Sequence, residues 1–199
     1  MELNSYPKRV LLKDGTEIFL RLMVKEDEKE LFRFFSSLPE EDRLFLREDV
    51  TKEETVRRFS ERLNYREILP VLAMNNNRVV GDATLHMNPH GWKRHIGEIR
   101  MVVARQFQKH GLGTILAKEL VKNAINLGLD KIIAEVAERQ TGALKAFKKL
   151  GFLQEAVLKE HIQDISGLKR DLIILSNNVG ELWSRMEDMM SDYRPPDGS

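Results

Sequence analysis

The stretch Gln108-Lys109-His110-Gly111-Leu112-Gly113-Thr114 carries the clearest chemical signal in the chain, between a hydrophobic strand-like run and an amphipathic helical pattern. Glycines there let backbone N–H groups converge without side-chain obstruction, and a helix start adds the positive end of its dipole. Such a loop suits a phosphate or diphosphate. Gly111-Leu112-Gly113 alone fits equally a helix start that merely packs closely. A nucleoside-triphosphate loop is excluded, because no Lys-Ser or Lys-Thr follows either glycine. A dinucleotide fingerprint fits poorly: Leu116 stands three residues past Gly113, and six residues separate Ala104 from Gly111 where that fold turns almost at once. Upstream, alternation along Gly97-Glu98-Ile99-Arg100-Met101 places Glu98 and Arg100 on one face and Ile99 and Met101 on the other. That carboxylate and guanidinium read either as a plain surface pair or as part of a site. His86, His90 and His95 cluster around one turn at a spacing that could recruit a metal, but no cysteine accompanies them and hairpin histidines are commonly just solvated. No metal is expected.

Composition bounds the rest. With 199 residues, 32 Lys plus Arg against 31 Asp plus Glu, and 42% apolar residues, the chain reads as an ordinary globular domain. A formal charge of +1 gives no general electrostatic reason to bind nucleic acid or an acidic membrane. No apolar run approaches the roughly 18 residues of a membrane span, and the amino terminus lacks a basic-then-apolar signal, so a cytoplasmic protein is expected. The absence of cysteine excludes disulfides, thiolate zinc sites, iron–sulfur clusters and a cysteine nucleophile.

The elements that must position the loop follow from patterning. Residues 9–12 and 17–22 read as a hairpin through Asp14-Gly15. Leu31, Phe32, Phe34 and Phe35 mark a helix ending near Ser36-Ser37-Leu38-Pro39. A second helix is predicted to start at Thr51, with Glu54 completing a capping box and Val56, Phe59 and Leu63 on its apolar stripe. Residues 69–74 and 78–87 read as strands joined by Asn75-Asn76-Asn77, and 95–104 as a third strand. Leu112, Ile115, Leu116, Leu120 and Ala124 form a helical stripe that Gly128 ends. A strand over 132–137 and a helix carrying Ala143, Leu144 and Phe147 follow, with Gly151 ending the helix. The strand, helix, strand, helix order over 95–150 demands that strands 95–104 and 131–137 pair in parallel. Residues 153–162 and 172–176 close with a hairpin. Val179, Leu182, Trp183, Met186 and Met190 form a last helical stripe, which either docks on its own domain or makes a homodimer contact. The division is 1–176 as the domain, 177–193 as the added helix and 194–199 as a tail.

Val103-Ala104-Arg105-Gln106-Phe107-Gln108-Lys109-His110-Gly111-Leu112-Gly113 resembles the central motif of the GCN5-related N-acetyltransferases, Q/R-x-x-G-x-G/A, through Gln108, Gly111 and Gly113. A second family mark, a helix running from an Asn through a Tyr to Gly-Phe, is echoed over Gln140 to Phe152, with Gln140 at the Asn position and Phe147 at the Tyr. Leu12-Lys13-Asp14-Gly15-Thr16, Arg21, Glu26-Asp27, Phe34 to Leu38 and Glu98 are similar to the acetyltransferase domain of bacterial and archaeal protein lysine acetyltransferases; Leu38 to Arg43 is a loose counterpart of their arginine-rich stretch. The fold implied is α/β, a mostly antiparallel sheet with a parallel pair splayed around a coenzyme A cleft and helices on both sides.

The resemblance implies acetyl transfer from acetyl-CoA directly to an amine, most simply a protein lysine. The diphosphate of coenzyme A would lie on backbone N–H groups of Gln108, Lys109, His110, Gly111, Leu112, Gly113 and Thr114. The pantetheine arm would run along Met101, Val102 and Val103 like an added strand, with one N–H near Met101 or Val102 polarising the thioester carbonyl, and Gln140 and Phe147 complete the cofactor site. An acceptor lysine, of ordinary pKa about 10.4, must lose a proton before it attacks, and the family places a general-base glutamate at the position of Glu98. Phe147 departs from the family, because phenylalanine cannot protonate the leaving thiolate as a tyrosine would. Alternative readings are a small-amine acetyltransferase of polyamine or aminoglycoside type, favoured by the acidic stretches 39–62 and 159–171, and a non-catalytic acyl-CoA-sensing module, favoured by Gln140 and Phe147.

Overall fold

The computed structural model describes residues 5–43, 46–164 and 166–191. Eight strands form one sheet in the order β1-β2-β3-β4-β5-β6-β8-β7, where β1 is Lys8–Leu11, β2 Glu17–Leu22, β3 Ile68–Asn75, β4 Arg78–Met87, β5 Ile96–Val103, β6 Lys131–Ala137, β7 Leu153–Gln163 and β8 Lys169–Asn178. Neighbours are antiparallel except β5 and β6, whose parallel pairing is the one the strand–helix order required. The turns sit where the backbone can take a positive φ: Gly15 at +83° between β1 and β2, and Asn76 and Asn77 at +47° and +60° between β3 and β4.

Helices α1 (Glu28–Ser37), α2 (Glu40–Arg43) and α3 (Glu53–Glu61) lie between β2 and β3, α4 (Leu112–Asn126) between β5 and β6, α5 (Thr141–Lys149) between β6 and β7, and α6 (Val179–Ser191) after β8. The alternation of β4 separates two packed faces. Ala83 and Leu85 join Leu112, Leu116 and Leu120 of α4 in one apolar cluster, whereas Leu31, Phe34 and Phe35 of α1 pack with Val56 of α3 in another. α4 reaches the sheet closely because β4 carries Gly81, where a Cβ would stand 3.2 Å from Leu116 Cδ1.

Two local expectations are corrected. α3 begins one residue later than predicted, with Lys52 rather than Thr51 at its N-cap and no side-chain cap; the Thr51 hydroxyl is instead taken by the nearer Asp49 carboxylate in the preceding turn. The one-turn α2 had no periodic signal of its own and is held from outside, by Arg105, which pairs with Glu41 and, at 3.0 Å, with Asp42.

α6 docks on its own domain: Val179, Leu182 and Met186 are buried, and Lys118 of α4 lies 5.3 Å over the Trp183 ring. The Met190 side chain and the tail 194–199 fall outside the described residues. No described helix is long and apolar enough to cross a membrane. Because Leu182 is wholly buried between α6 and the core, Leu182→Ala is expected to lower unfolding free energy by about 2–5 kcal/mol in chemical denaturation.

Candidate active site

The parallel ladder is short. Ile96, Gly97 and Glu98 of β5 face Lys131, Ile132 and Ile133 of β6, and there the pairing stops. β5 continues on β4 as far as Val103, and β6 continues on β8 as far as Ala137, so the two strands part beyond Glu98. Main-chain direction along β5 follows from two bonds: the Ala104 N–H donates to Val80 O at 2.9 Å, and His95 O accepts from the Asp130 N–H at 2.9 Å. Even-numbered residues therefore turn their main-chain groups to β4 and odd-numbered ones to β6. Met101 and Val103 thus face the opening with their N–H and C=O groups, while those of Val102 are turned to β4. The Val103 carbonyl accepts from Gln108 Nε2 at 2.9 Å.

At the wide end of the opening stands the start of α4. Lys109 and Gly111 have φ of +65° and +95°, and Gly111 is the N-cap. The first intrahelical bond is donated by Ile115 to Gly111 O, which leaves the N–H groups of Leu112, Gly113 and Thr114 without a partner inside the helix. Leu112 is buried and anchors the turn in the core. The β1–β2 turn braces it: the Lys13 N–H donates to His110 O at 3.1 Å and the Asp14 carboxylate lies 2.9 Å from His110 Nδ1. Hydrogen bonds from Thr16, with the nearby His110 assisting, hold the Asp14 carboxyl below the usual range. A left-handed cap, unpaired amides at a helix start and two strands with free main-chain edges are what a diphosphate with a peptide-like arm requires.

On the α1–α3 side, the opening widens into a cavity of about 500 Å³ lined by Leu31, Phe35, Met101, Val102, Ala143 and Phe147, together with the polar groups of Asp82, Thr84, His86, Arg100, Glu135 and Gln140. Glu98 lines a second hollow, which shares His86, Arg100 and Glu135 with this cavity. Arg100 Nε donates to Glu98 Oε1 at 2.9 Å, so the pairing legible in the sequence exists. It is joined by Arg47, from the segment before α3, which bonds Glu98 and, at 2.5 Å, Glu135 on β6. One guanidinium therefore spans the two strands where they separate. Gln140 accepts from the Ala137 N–H through Oε1 at 3.1 Å, tying α5 to the end of β6. Phe147 packs edge-on against Phe152 with ring centroids 5.0 Å apart and presents its remaining edge to the cavity.

Asp82, Glu135 and Arg47 are site groups that sequence reasoning passed over, and His86, weighed there only as a metal ligand, lines the cavity with them. Burial lifts the Asp82 carboxyl to about 7, against a smaller lowering by Thr84. Burial, aided by Arg100, depresses the His86 imidazole to about 4, so it is neutral near pH 7. The signal was present in Asp82-Ala83-Thr84-Leu85-His86: three polar residues alternating with core residues on a strand that has neighbours on both sides. Among the described residues, no three His, Asp or Glu side chains are grouped as a metal site would need.

The profile of the acetyltransferase (GNAT) family matches residues 25–152. The chain belongs to that family. It resembles in fold the GNAT-family acetyltransferase from Streptococcus pneumoniae, with 21% identity and a TM-score of 0.67 over 81% of this chain and 99% of that one. The GNAT domain of S. lividans PAT aligns at 17% identity and TM-score 0.73 over 87% and 97% of the two chains. Mycobacterium smegmatis RimJ, solved in complex with CoA-disulfide, aligns at 18% and 0.71 over 92% and 93%. As a GNAT member the protein is an acetyl-CoA-dependent N-acetyltransferase.

Two substitutions test the loop. Gly111→Ala forces a side chain into a left-handed backbone and is expected to cost about 1–3 kcal/mol of stability and to weaken coenzyme A binding at least tenfold by calorimetry. Gly113 lies within α4, with open space where a Cβ would stand, so Gly113→Ala should keep both properties within about threefold. The buried acid makes a further prediction. An Asp82 carboxyl that ionises near 7 when folded and at 3.8 when unfolded destabilises the fold progressively as pH rises from about 4 to 7. Asp82→Asn should remove that dependence, so thermal denaturation at pH 8 should find it the more stable chain, by an amount on the order of 3 kcal/mol.

Proposed function

We propose that this GNAT enzyme acetylates a lysine side chain of a protein, with Glu98 as the general base. The observation that carries the reading is the position of Glu98: it is the last β5 residue paired with β6, and it lines the hollow that shares His86, Arg100 and Glu135 with the cavity into which the parted strands open. Coenzyme A, when bound, supplies the activated acetyl thioester. The chain's own groups do the rest. Lys109 to Thr114 offer main-chain amides to the diphosphate, the Gln108 N–H expected to join them being bonded instead to Arg105 O at 3.1 Å; Met101 and Val103 offer theirs to the arm, and the Met101 N–H polarises the thioester carbonyl. Glu98, oriented by Arg47 and Arg100 through Oε1, draws the proton from the incoming ammonium, directly or through a water.

Two features support a protein lysine over a polycationic small amine. The residues shared with protein lysine acetyltransferases include Arg21 and Asp27, which form a two-bond ion pair at 2.6 and 2.5 Å between β2 and the turn leading to α1. The acidic stretches that would have attracted a polycation are largely consumed internally: Glu41 and Asp42 by Arg105, Glu48 by Arg58, Asp171 by Lys159 and Asp164 by Arg170. Loss of the family tyrosine at Phe147 is compatible with turnover, because a thiol of pKa near 8.5 leaves readily and acid assistance contributes about 10² to 10⁴.

Thiol release from acetyl-CoA over a panel of proteins, peptides and small amines tests the assignment. Lysine-bearing proteins are expected to turn over fastest, and Glu98→Gln to lower kcat by about 10²-fold or more while leaving coenzyme A affinity unchanged. Release that is fastest with free polyamines, or that is unaffected by Glu98→Gln, contradicts it.

A further inference from the structure

The acceptor cavity holds a carboxyl group for which the mechanism above has no use. Asp82 lies directly opposite Val102 in the β4–β5 pairing, on the cavity face, one residue from the Met101 amide that faces the strand opening. Side chains so paired stand about 5 Å apart at their Cβ atoms. Among the described residues Asp82 makes no ion pair, and its side-chain hydrogen bond is a long one from Thr84 Oγ1, at 3.4 Å. Its strand partners are apolar, Leu72 on β3 and Val102 on β5, and the cavity it lines is also walled by Leu31 and Phe35 of α1. Holding a half-buried carboxyl in such surroundings without a cationic partner is costly, and groups of this kind are enriched where protons are handled.

The reaction leaves a vacancy of matching chemistry. Once the amine has attacked, its nitrogen must shed a proton and the departing sulfur must gain one. Phe147, at the position where the family carries a tyrosine, can supply none.

We propose that Asp82 is the proton shuttle of acetyl transfer, taking the proton from the attacking nitrogen and delivering it to the leaving thiolate. The inference rests on the acetyl-transfer reading and deepens it. Glu98 removes the first proton, turning ammonium into amine. As the C–N bond forms, the nitrogen becomes cationic and gives its second proton to the Asp82 carboxylate. The C–S bond then breaks, its electron pair stays on sulfur, and the Asp82 acid protonates that sulfur, which returns Asp82 to its starting state. Nitrogen and sulfur are bonded to one carbon during this exchange, so a single carboxyl can serve both.

Asp82 ionises at about 7, between an amide-forming ammonium that gives up its proton easily and a thiol of ordinary pKa near 8.5. The other titratable or charged groups lining the cavity are His86 on β4, Arg100 on β5, Glu135 on β6, Arg47 and Glu48 before α3, and Arg58 and Arg62 on and after α3. His86 is neutral over the relevant range. β3 and α1 contribute apolar side chains.

The test is the pH dependence of kcat from 5.5 to 9, at saturating acetyl-CoA and acceptor, for the parent chain, D82N, D82E and E98Q, with coenzyme A affinity by calorimetry as the control for folding. The parent should rise through a limb near 7 as Asp82 ionises. D82N should fall at least 10²-fold and lose the limb, with coenzyme A affinity within threefold. D82E should recover at least tenfold over D82N and show a limb at a shifted pH, and E98Q should keep the parent's limb at a lower rate. A D82N protein with kcat within threefold of the parent, or with the limb intact at any rate, overturns the proposal. Should D82N fail to bind coenzyme A, D82E decides: a moved limb supports the shuttle and an unmoved one overturns it. A parent that acetylates no amine fails the acetyl-transfer reading itself, whereas an active parent with a normal D82N fails only the Asp82 assignment.

Discussion

The separation of β5 from β6 after Glu98 is the constraint on which the rest of the molecule depends. Each strand has a second neighbour to which it stays bonded: β5 follows β4 to Val103, and β6 follows β8 to Ala137. The parallel pair is therefore a hinge of three residues at one end, with two independently supported arms beyond it. In a continuous sheet the odd-numbered main-chain groups of β5 would be spent on β6. Here Met101 keeps both of its groups, and Val103 its N–H, facing a gap, and the start of α4 brings further amides without an intrahelical partner to its wide end. The closed end is packed tightly. A Cβ at Gly97 would come within 2.8 Å of both Leu85 and Leu129, so a glycine is what lets these two leucines close over the hinge.

Chemistry gathers around that gap because three strands place polar side chains on its α1–α3 face. Asp82, Thr84 and His86 of β4 stand opposite Val102, Arg100 and Glu98 of β5, and Glu135 of β6 stands across the split. The two carboxyl groups on β4 and β5 have opposite surroundings. Glu98 is held by two guanidinium groups, while Asp82 stands between Leu72 and Val102 with no ion pair among the described residues and a single long hydrogen bond. Environments that differ in this way divide proton work between two acids.

Most of the architecture was legible from local patterning because it rests on local physics. Asp14-Gly15, Asn75-Asn76-Asn77, Gly111 and Gly151 announce turns or caps, and at each site the structure has a positive φ. The order of elements over residues 95–150 fixed the parallel pair, and the 3.6-residue stripe of α6 announced its docked face. What escaped was held together across the chain. α2 owes its position to Arg105, more than sixty residues away, and the start of α3 was settled by Asp49 competing for Thr51. Arg47 reaches Glu98 and Glu135 over separations of 51 and 88 residues, which no window of sequence contains. Asp82 was missed for a different reason: its significance is its enclosure in a cavity, and an acidic residue in an alternating strand reads as solvent-facing until the helices that cover that face are known.

The most direct measurement of the central claim is amide hydrogen exchange, followed residue by residue, with and without coenzyme A. The strand geometry predicts that the Met101 and Val103 amides, and those of Leu112, Gly113 and Thr114 at the start of α4, become protected on binding, while Ala104, already bonded to Val80, changes little. Protection that leaves Met101 and Val103 untouched, or that falls on the other edge of the sheet, would contradict a cleft built from the parted strands.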